Sequence, residues 1–129
     1  MTKPNLLGQG ASPATTLTQE LLYSSQLASG DNAVYTVASN KAVKIGTAAL
    51  CNVSASAVTI SVSVVPSGGT VDGTHKVVSA YSLAAGDTIS HEDGLAALKG
   101  LMLSEGCVIS VNAGTASAVD CVLTGTLTA

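Results

Sequence analysis

The chain has 129 residues, of which 47% are hydrophobic and 10% charged, and its formal net charge is −3. That length is one domain with at most a short arm. Five lysines with no arginine, tryptophan or phenylalanine exclude a nucleic-acid binder, which needs clustered cations and arginine or aromatic faces, and the apolar content excludes a disordered chain.

In chain order, residues 1–30 are expected to form an N-terminal arm and residues 31–129 a β-sandwich domain. The stretch 2–18 carries Pro4, Gly8, Gly10 and Pro13 among small residues, which favours an extended or irregular path. Residues 17–23 read either as a short helix capped by Thr18 or as the first strand. The N-terminus lacks the apolar core of a signal peptide. No window of about 18 apolar residues exists, so neither a transmembrane helix nor a membrane partner is expected.

From Ala33 onward short strands follow one another. Residues 33–38 form one, and residues 42–53 are long enough for another with a bulge at Gly46. Residues 58–65 alternate Val58, Ile60, Val62 and Val64 with Thr59, Ser61 and Ser63, the clearest strand signal in the chain. Pro66 ends that strand and opens a loop through Gly73. Residues 75–83 predict a strand with Val77, Ser79, Tyr81 and Leu83 on one face, and a tight turn at 84–87 leads into 88–91. Residues 93–100 begin with an acid and close on Gly100, which predicts one or two helical turns. Three further strands are expected at 101–103, 107–111 and 118–127. About eight strands with turn residues between them argue an all-β antiparallel sandwich or jelly roll.

Candidate chemistry is sparse. Cys51, Cys107 and Cys121 belong to no zinc-ligand pattern and sit in apolar stretches, which predicts buried thiols in a reducing compartment; a Cys107–Cys121 bridge is possible and not required. His75, His91, Asp87, Glu92 and Asp93 are the polar residues from which a triad would have to be drawn, yet no nucleophile stands in a Gly-x-Ser-x-Gly elbow. The acidic loops lack EF-hand spacing and the histidines lack HExxH spacing. The glycine-rich stretch 68–76 has no lysine in the phosphate-loop position. Asn52-Val53-Ser54 matches a glycosylation sequon without a secretory signal. Tyr35 and Tyr81 fall in strands, where packing is their ordinary role, and three tyrosines without tryptophan or arginine disfavour sugar binding. The expectation is no enzyme, with no catalytic, cofactor or metal residues and no cofactor.

A surface normally carries about 25% charged residues. Here 16 serines and 14 threonines must supply the polarity instead. A lone monomer so covered has weak charge repulsion and associates. The sequence therefore predicts a homo-oligomer or larger assembly, the alternative being a Ser/Thr-coated monomer.

Residues 5–9 (Asn-Leu-Leu-Gly-Gln), 50–54 (Leu-Cys-Asn-Val-Ser) with 57–59, 64–69 (Val-Val-Pro-Ser-Gly-Gly), 82–89 (Ser-Leu-Ala-Ala-Gly-Asp-Thr-Ile) and 114–116 (Gly-Thr-Ala) form an ordered series. This series resembles small tailed-bacteriophage virion structural proteins of the head-decoration, minor-tail or neck-associated kind, over most of the chain. The resemblance implies a non-enzymatic sandwich in the virion, made in the bacterial host cytoplasm, assembling as a homotrimer or other cyclic oligomer. Its partners would be the major capsid or tail proteins. Capsid decoration is the leading expectation, with Leu6, Leu7, Leu17, Leu21 and Leu22 of the arm docking on neighbours. The alternatives are a minor tail or neck protein, or a receptor- or glycan-binding module at the tail tip.

Overall fold

A computed structural model describes residues 17–128. Within them the strands are β1 (Leu17–Gln26), β2 (Gly30–Thr36), β3 (Val43–Asn52), β4 (Val58–Val65), β5 (Lys76–Leu83), β6 (Thr88–Ser90), β7 (Met102–Leu103), β8 (Val108–Ala113) and β9 (Val119–Thr128), with one 3-10 turn at Ala96–Leu98. The first sheet has the order β1-β9-β3-β6, with β7 also on β3, and the second has the order β2-β8-β4-β5. All named pairs are antiparallel.

The pairs follow a pattern. β1 takes β9, β2 takes β8, β3 takes β6 and β7, and β4 takes β5, with successive pairs falling in alternate sheets. A chain doubled into one long hairpin and rolled up gives that order, which is a jelly roll. The expected sandwich or jelly roll is therefore the fold, with its short helical turn inside 93–100. The roll brings Val34, Ile45, Leu50, Ile60, Val62, Ile109, Val111 and Leu123 into one buried core between the sheets.

β1 is the strand alternative for residues 17–23. That part of the expected 1–30 arm is hydrogen-bonded to β9 from Leu17↔Thr128 to Gln26↔Asp120, so it is a sheet strand rather than an irregular extension. Leu6 and Leu7 lie outside the described residues. The bulge expected at Gly46 is present, as a register shift between Ile45 and Thr47 against β9. A second shift, between Leu21 and Tyr23, flanks β9 from its other side at the same level. Both bulges flank Thr124, and at the neighbouring Gly125 an added Cβ would lie 2.7 Å from the Lys44 carbonyl oxygen and 3.0 Å from Leu22 Cδ1. The missing side chain is what lets the bulged Leu22 turn in toward the core.

Two patterns depart from strict alternation. In β4 the core face runs Val58, Ile60, Val62, but Val65 is also buried. It sits beneath the turn in which the Gly69 N–H donates to the Pro66 carbonyl at 2.9 Å; Gly69 has no Cβ to strike Val65 Cγ1. In β5 the expected face of Val77, Ser79, Tyr81 and Leu83 is broken. Ile60 pairs with Tyr81 and Val62 with Val78, so Ser79 and Ala80 bulge out. Ala80 takes φ 51°, and its N–H donates to Ser61 Oγ at 2.9 Å. Val78 therefore packs on the core and Val77 is exposed.

Asn52 ends β3 fully buried. Its Nδ2 donates to the carbonyls of Ser56 at 2.8 Å and Leu83 at 2.9 Å. Its Oδ1 accepts from the Ser54 N–H at 2.9 Å and Ser54 Oγ at 2.7 Å. With Gly86 N donating to its carbonyl and its own N–H donating to Asp87 O, Asn52 ties the β3–β4 turn to the β5–β6 turn. Every polar atom of the side chain is occupied, so the sequon asparagine is a structural clamp.

Gly125→Ala is expected to lower stability by about 1–3 kcal/mol, since the clash is with backbone that cannot yield cheaply. Chemical denaturation measures it, and an unchanged midpoint would contradict the packing described.

Candidate assembly surface

Register decides which side chains share a face, because partners opposite one another on neighbouring strands point the same way. On the first sheet the core face takes Leu123, Cys121, Leu50 and Ile45. The outer face therefore takes Leu17, Gln19, Leu21, Ser24 and Gln26 from β1, and Asp120, Val122, Thr124, Thr126 and Thr128 from β9. β3 adds Lys44, Thr47, Ala49 and Cys51; β6 adds Thr88 and Ser90, and β7 adds Met102. This face carries two charged residues, Lys44 and Asp120, at opposite ends.

Large apolar side chains stand out from it. Met102 is 76% exposed, Leu17 67% and Leu21 63%, and Val122 is also exposed. Leu17 and Met102 line an open groove of about 570 Å³ with Val43, Lys44, Leu103, Thr126 and Thr128. At mid-face Leu21 borders a hollow with Gly46, Thr124 and Thr126. Gly46 brings no side chain, and the hydroxyls of Thr47 and Thr124 are hydrogen-bonded to each other at 2.6 Å. Contiguous apolar surface rimmed by neutral hydroxyls marks a protein contact.

The edges add to this. β6 and β7 are short and split by the 3-10 turn, and β5 is bulged and carries Lys76. β2 is bulged, and the Asn32 side chain bonds the Ala28, Gly30 and Val111 carbonyls. The five residues of β1 before its bulge form an unbulged edge with one charge, Glu20, and two of them are exposed leucines. Such an edge is a template for another chain.

The outer face of the second sheet is polar by comparison. Asp31, Ser61, Ser63, Asp72, Lys76 and Asn112 border a cleft of about 280 Å³, in which Asn112 Nδ2 donates to Asp31 Oδ1 at 2.9 Å.

The polar residues considered for chemistry are engaged locally. His91 Nε2 lies 3.4 Å from Glu92 Oε1, and Lys99 Nζ holds that carboxylate at 3.1 and 3.2 Å. The hydrogen bond and charge of Lys99 keep the Glu92 carboxyl below its usual range. His75 is 3.9 Å from Asp72, across one loop. Asp72 itself accepts from the Thr74 hydroxyl and N–H, which lower its carboxyl. Asp87 caps the N–H of Thr88. Tyr35 packs against the core, and burial, then the Glu20 charge, raise its phenol. Among the described residues no three His, Cys, Asp or Glu side chains converge on a common point. All three cysteines are free. Cys121 belongs to β9 and Cys107 precedes β8 in the opposite sheet, so they are not on neighbouring strands.

No protein-family model and no curated protein matches the chain. Among solved structures, the crystal structure of the infectious bursal disease virus VP2 subviral particle is similar to it, at 16% sequence identity and a TM-score of 0.40, over 92% of this chain and 33% of that one. The chain thus spans a third of the length of the structure it matches. The jelly-roll assignment stands on the strand order alone.

Burial pushes the Cys121 thiol up from 9.0 to about 12. The unfolded chain therefore ionises first, and stability is intact below about 9.0 and falls as pH rises toward 12. At pH 8 a soluble alkylating reagent is expected to leave Cys121 unmodified until denaturant is added, read by peptide mass spectrometry. Modification of Cys121 under native conditions as fast as in the unfolded chain would contradict its place in the core.

Proposed function

We propose that this chain is a non-enzymatic structural protein of a bacteriophage virion, a capsid decoration protein that associates with copies of itself and with the major capsid protein. The observation that carries the reading is the outer face of the first sheet, where Leu17, Leu21, Val122 and Met102 are exposed and Lys44 and Asp120 are the charged residues. A protein able to spend ionic groups on that face would be more soluble alone. Leaving it neutral is favourable where protein covers it. The ordered motifs shared with small tailed-phage virion proteins point the same way, and jelly rolls are common among capsid proteins, although the fold also serves lectins and cupins.

In this role the body is a rigid cap, and contact area comes from the first-sheet face and the residues leading into Leu17. Many modest contacts repeated by particle symmetry add up to tight attachment. The polar cleft of Asp31, Asn112, Ser63 and Lys76 favours one second reading, a receptor- or glycan-binding module at a tail tip. Glycan-array binding retained after removal of residues 1–16 and lost in Asp31→Ala would support that reading over decoration. A deletion through residue 30 would be uninformative, since it removes β1.

Copy number per particle separates the sites. Decoration predicts on the order of hundreds of copies, and neck or tail positions a few to tens; quantitative mass spectrometry of purified virions measures it. Absence of the protein from particles would overturn the proposal. Within particles or in isolation, Leu21→Asp is expected to weaken association at least about tenfold by placing a charge in the contact. Unaltered association in that variant would remove the first-sheet face from the account.

A further inference from the structure

We infer that two copies of this chain pair face to face through the outer faces of their first sheets, about a two-fold axis that runs across the strands at the level of Leu123, one position from Thr47 and Thr124. This rests on the assembly reading only in requiring that the face be covered by protein, and it names the partner as a second copy in one orientation.

The two charges choose that orientation. Lys44 stands opposite Thr126 at one end of the face, and Asp120 stands opposite Cys51 at the other. Six positions of β9 separate the two levels, roughly 20 Å at about 3.3 Å per residue. Neither residue takes part in an ion pair among the described residues; Asp120 accepts a single hydrogen bond, from Gln26 Nε2 at 3.1 Å. Closing another protein surface over the face leaves both charges uncompensated unless that surface brings the opposite sign to each end, and an unpaired buried charge is strongly destabilising.

A second copy meets that requirement in one of the two ways in which sheets can stack about a two-fold axis. With the axis along the strands, like ends come together, and Lys44 faces the level of the partner's Lys44. With the axis across the strands, opposite ends come together, and each Lys44 faces the level of the partner's Asp120, twice over by symmetry. The second arrangement neutralises all four charges and keeps the two strand directions within the usual range for stacked sheets.

The midpoint fits as well. Halfway between the charged levels on β9 is Leu123, and one position from it lie Leu21, Thr124 and Thr47, which share one register level. In the pair, Leu21 therefore meets the partner's Leu21 near the axis. Beside it, Gly46 brings no side chain and the two threonine hydroxyls share one hydrogen bond, so the surface next to Leu21 is a hollow bordered by Thr124 and Thr126 rather than a projecting ridge.

Two measurements on the full chain test this together. Leu21→Cys treated with a short bismaleimide should give a covalent dimer whose peptide map shows a 21–21 linkage, with the unsubstituted chain as control for Cys51 and Cys107. Lys44→Asp and Asp120→Lys should each raise the dimer dissociation constant at least about tenfold, and the double variant should restore it to within about threefold. Circular dichroism confirms that each surface variant folds. A double variant no better than the single ones overturns the pairing. A trimer lacking the 21–21 linkage also overturns it while leaving the assembly reading intact. A chain that is monomeric at every concentration overturns both.

Discussion

The constraint on which this molecule turns is how few ionic groups it has and where they stand. Of the 13 charged residues, Lys41, Asp72, Asp87, Glu92, Asp93, Lys99 and Glu105 lie on turns and loops, and Asp31 and Lys76 are on the second sheet. Apart from Lys44 and Asp120, the plane that the first sheet turns outward is mainly threonine, serine, glutamine, leucine, valine and methionine. Water solvates the hydroxyls readily and the aliphatic groups poorly, so the free energy of covering this plane is favourable even though each contact is weak.

The interior is arranged in a way that makes such a plane possible. Bulges on β1 and β3 meet β9 at one level, and Gly125 gives Leu22 room to enter the core there. Turning Leu22 inward leaves Leu21 outward on the same edge. At the far end of β3, Asn52 clamps two turns with its entire hydrogen-bonding capacity. Order in the core and neutrality at the surface thus arise from the same strand alternation, read on its two faces.

Much of the fold was legible in residue order. The β-branched alternation of β4 gave its bounds, Gly46 marked the bulge of β3, and Gly100 closed the short helical turn. β5 misled because a bulge shifts side-chain parity, and Ala80 carries no residue signal for the left-handed conformation it adopts. Asn52 showed only as a sequon match, since its Leu83 partner comes from a strand end that only the roll brings beside the local Ser54 and Ser56. The assembly surface is foreshadowed by a deficit of charge and by Leu17 and Leu21 among the docking leucines of the arm, whereas Leu22 of that set packs on the core and Val122 and Met102 carry no such signal. Leu17, Leu21, Val122 and Met102 lie up to about a hundred positions apart, and they share a face only once β1, β9, β3 and β7 are neighbours in a known register. No local pattern encodes that adjacency.

A structural role built on a covered sheet face explains the composition, the unbulged half of β1 and the scarcity of charge on one side of the roll with a single cause. The most direct measurement is oxidative footprinting of Met102, Leu17 and Leu21 across a dilution series that spans association. Labelling of these three side chains should fall severalfold as the protein associates, while exposed positions on the second sheet such as Tyr81 stay constant. Association that leaves Met102, Leu17 and Leu21 as reactive as in the dilute chain would contradict the account.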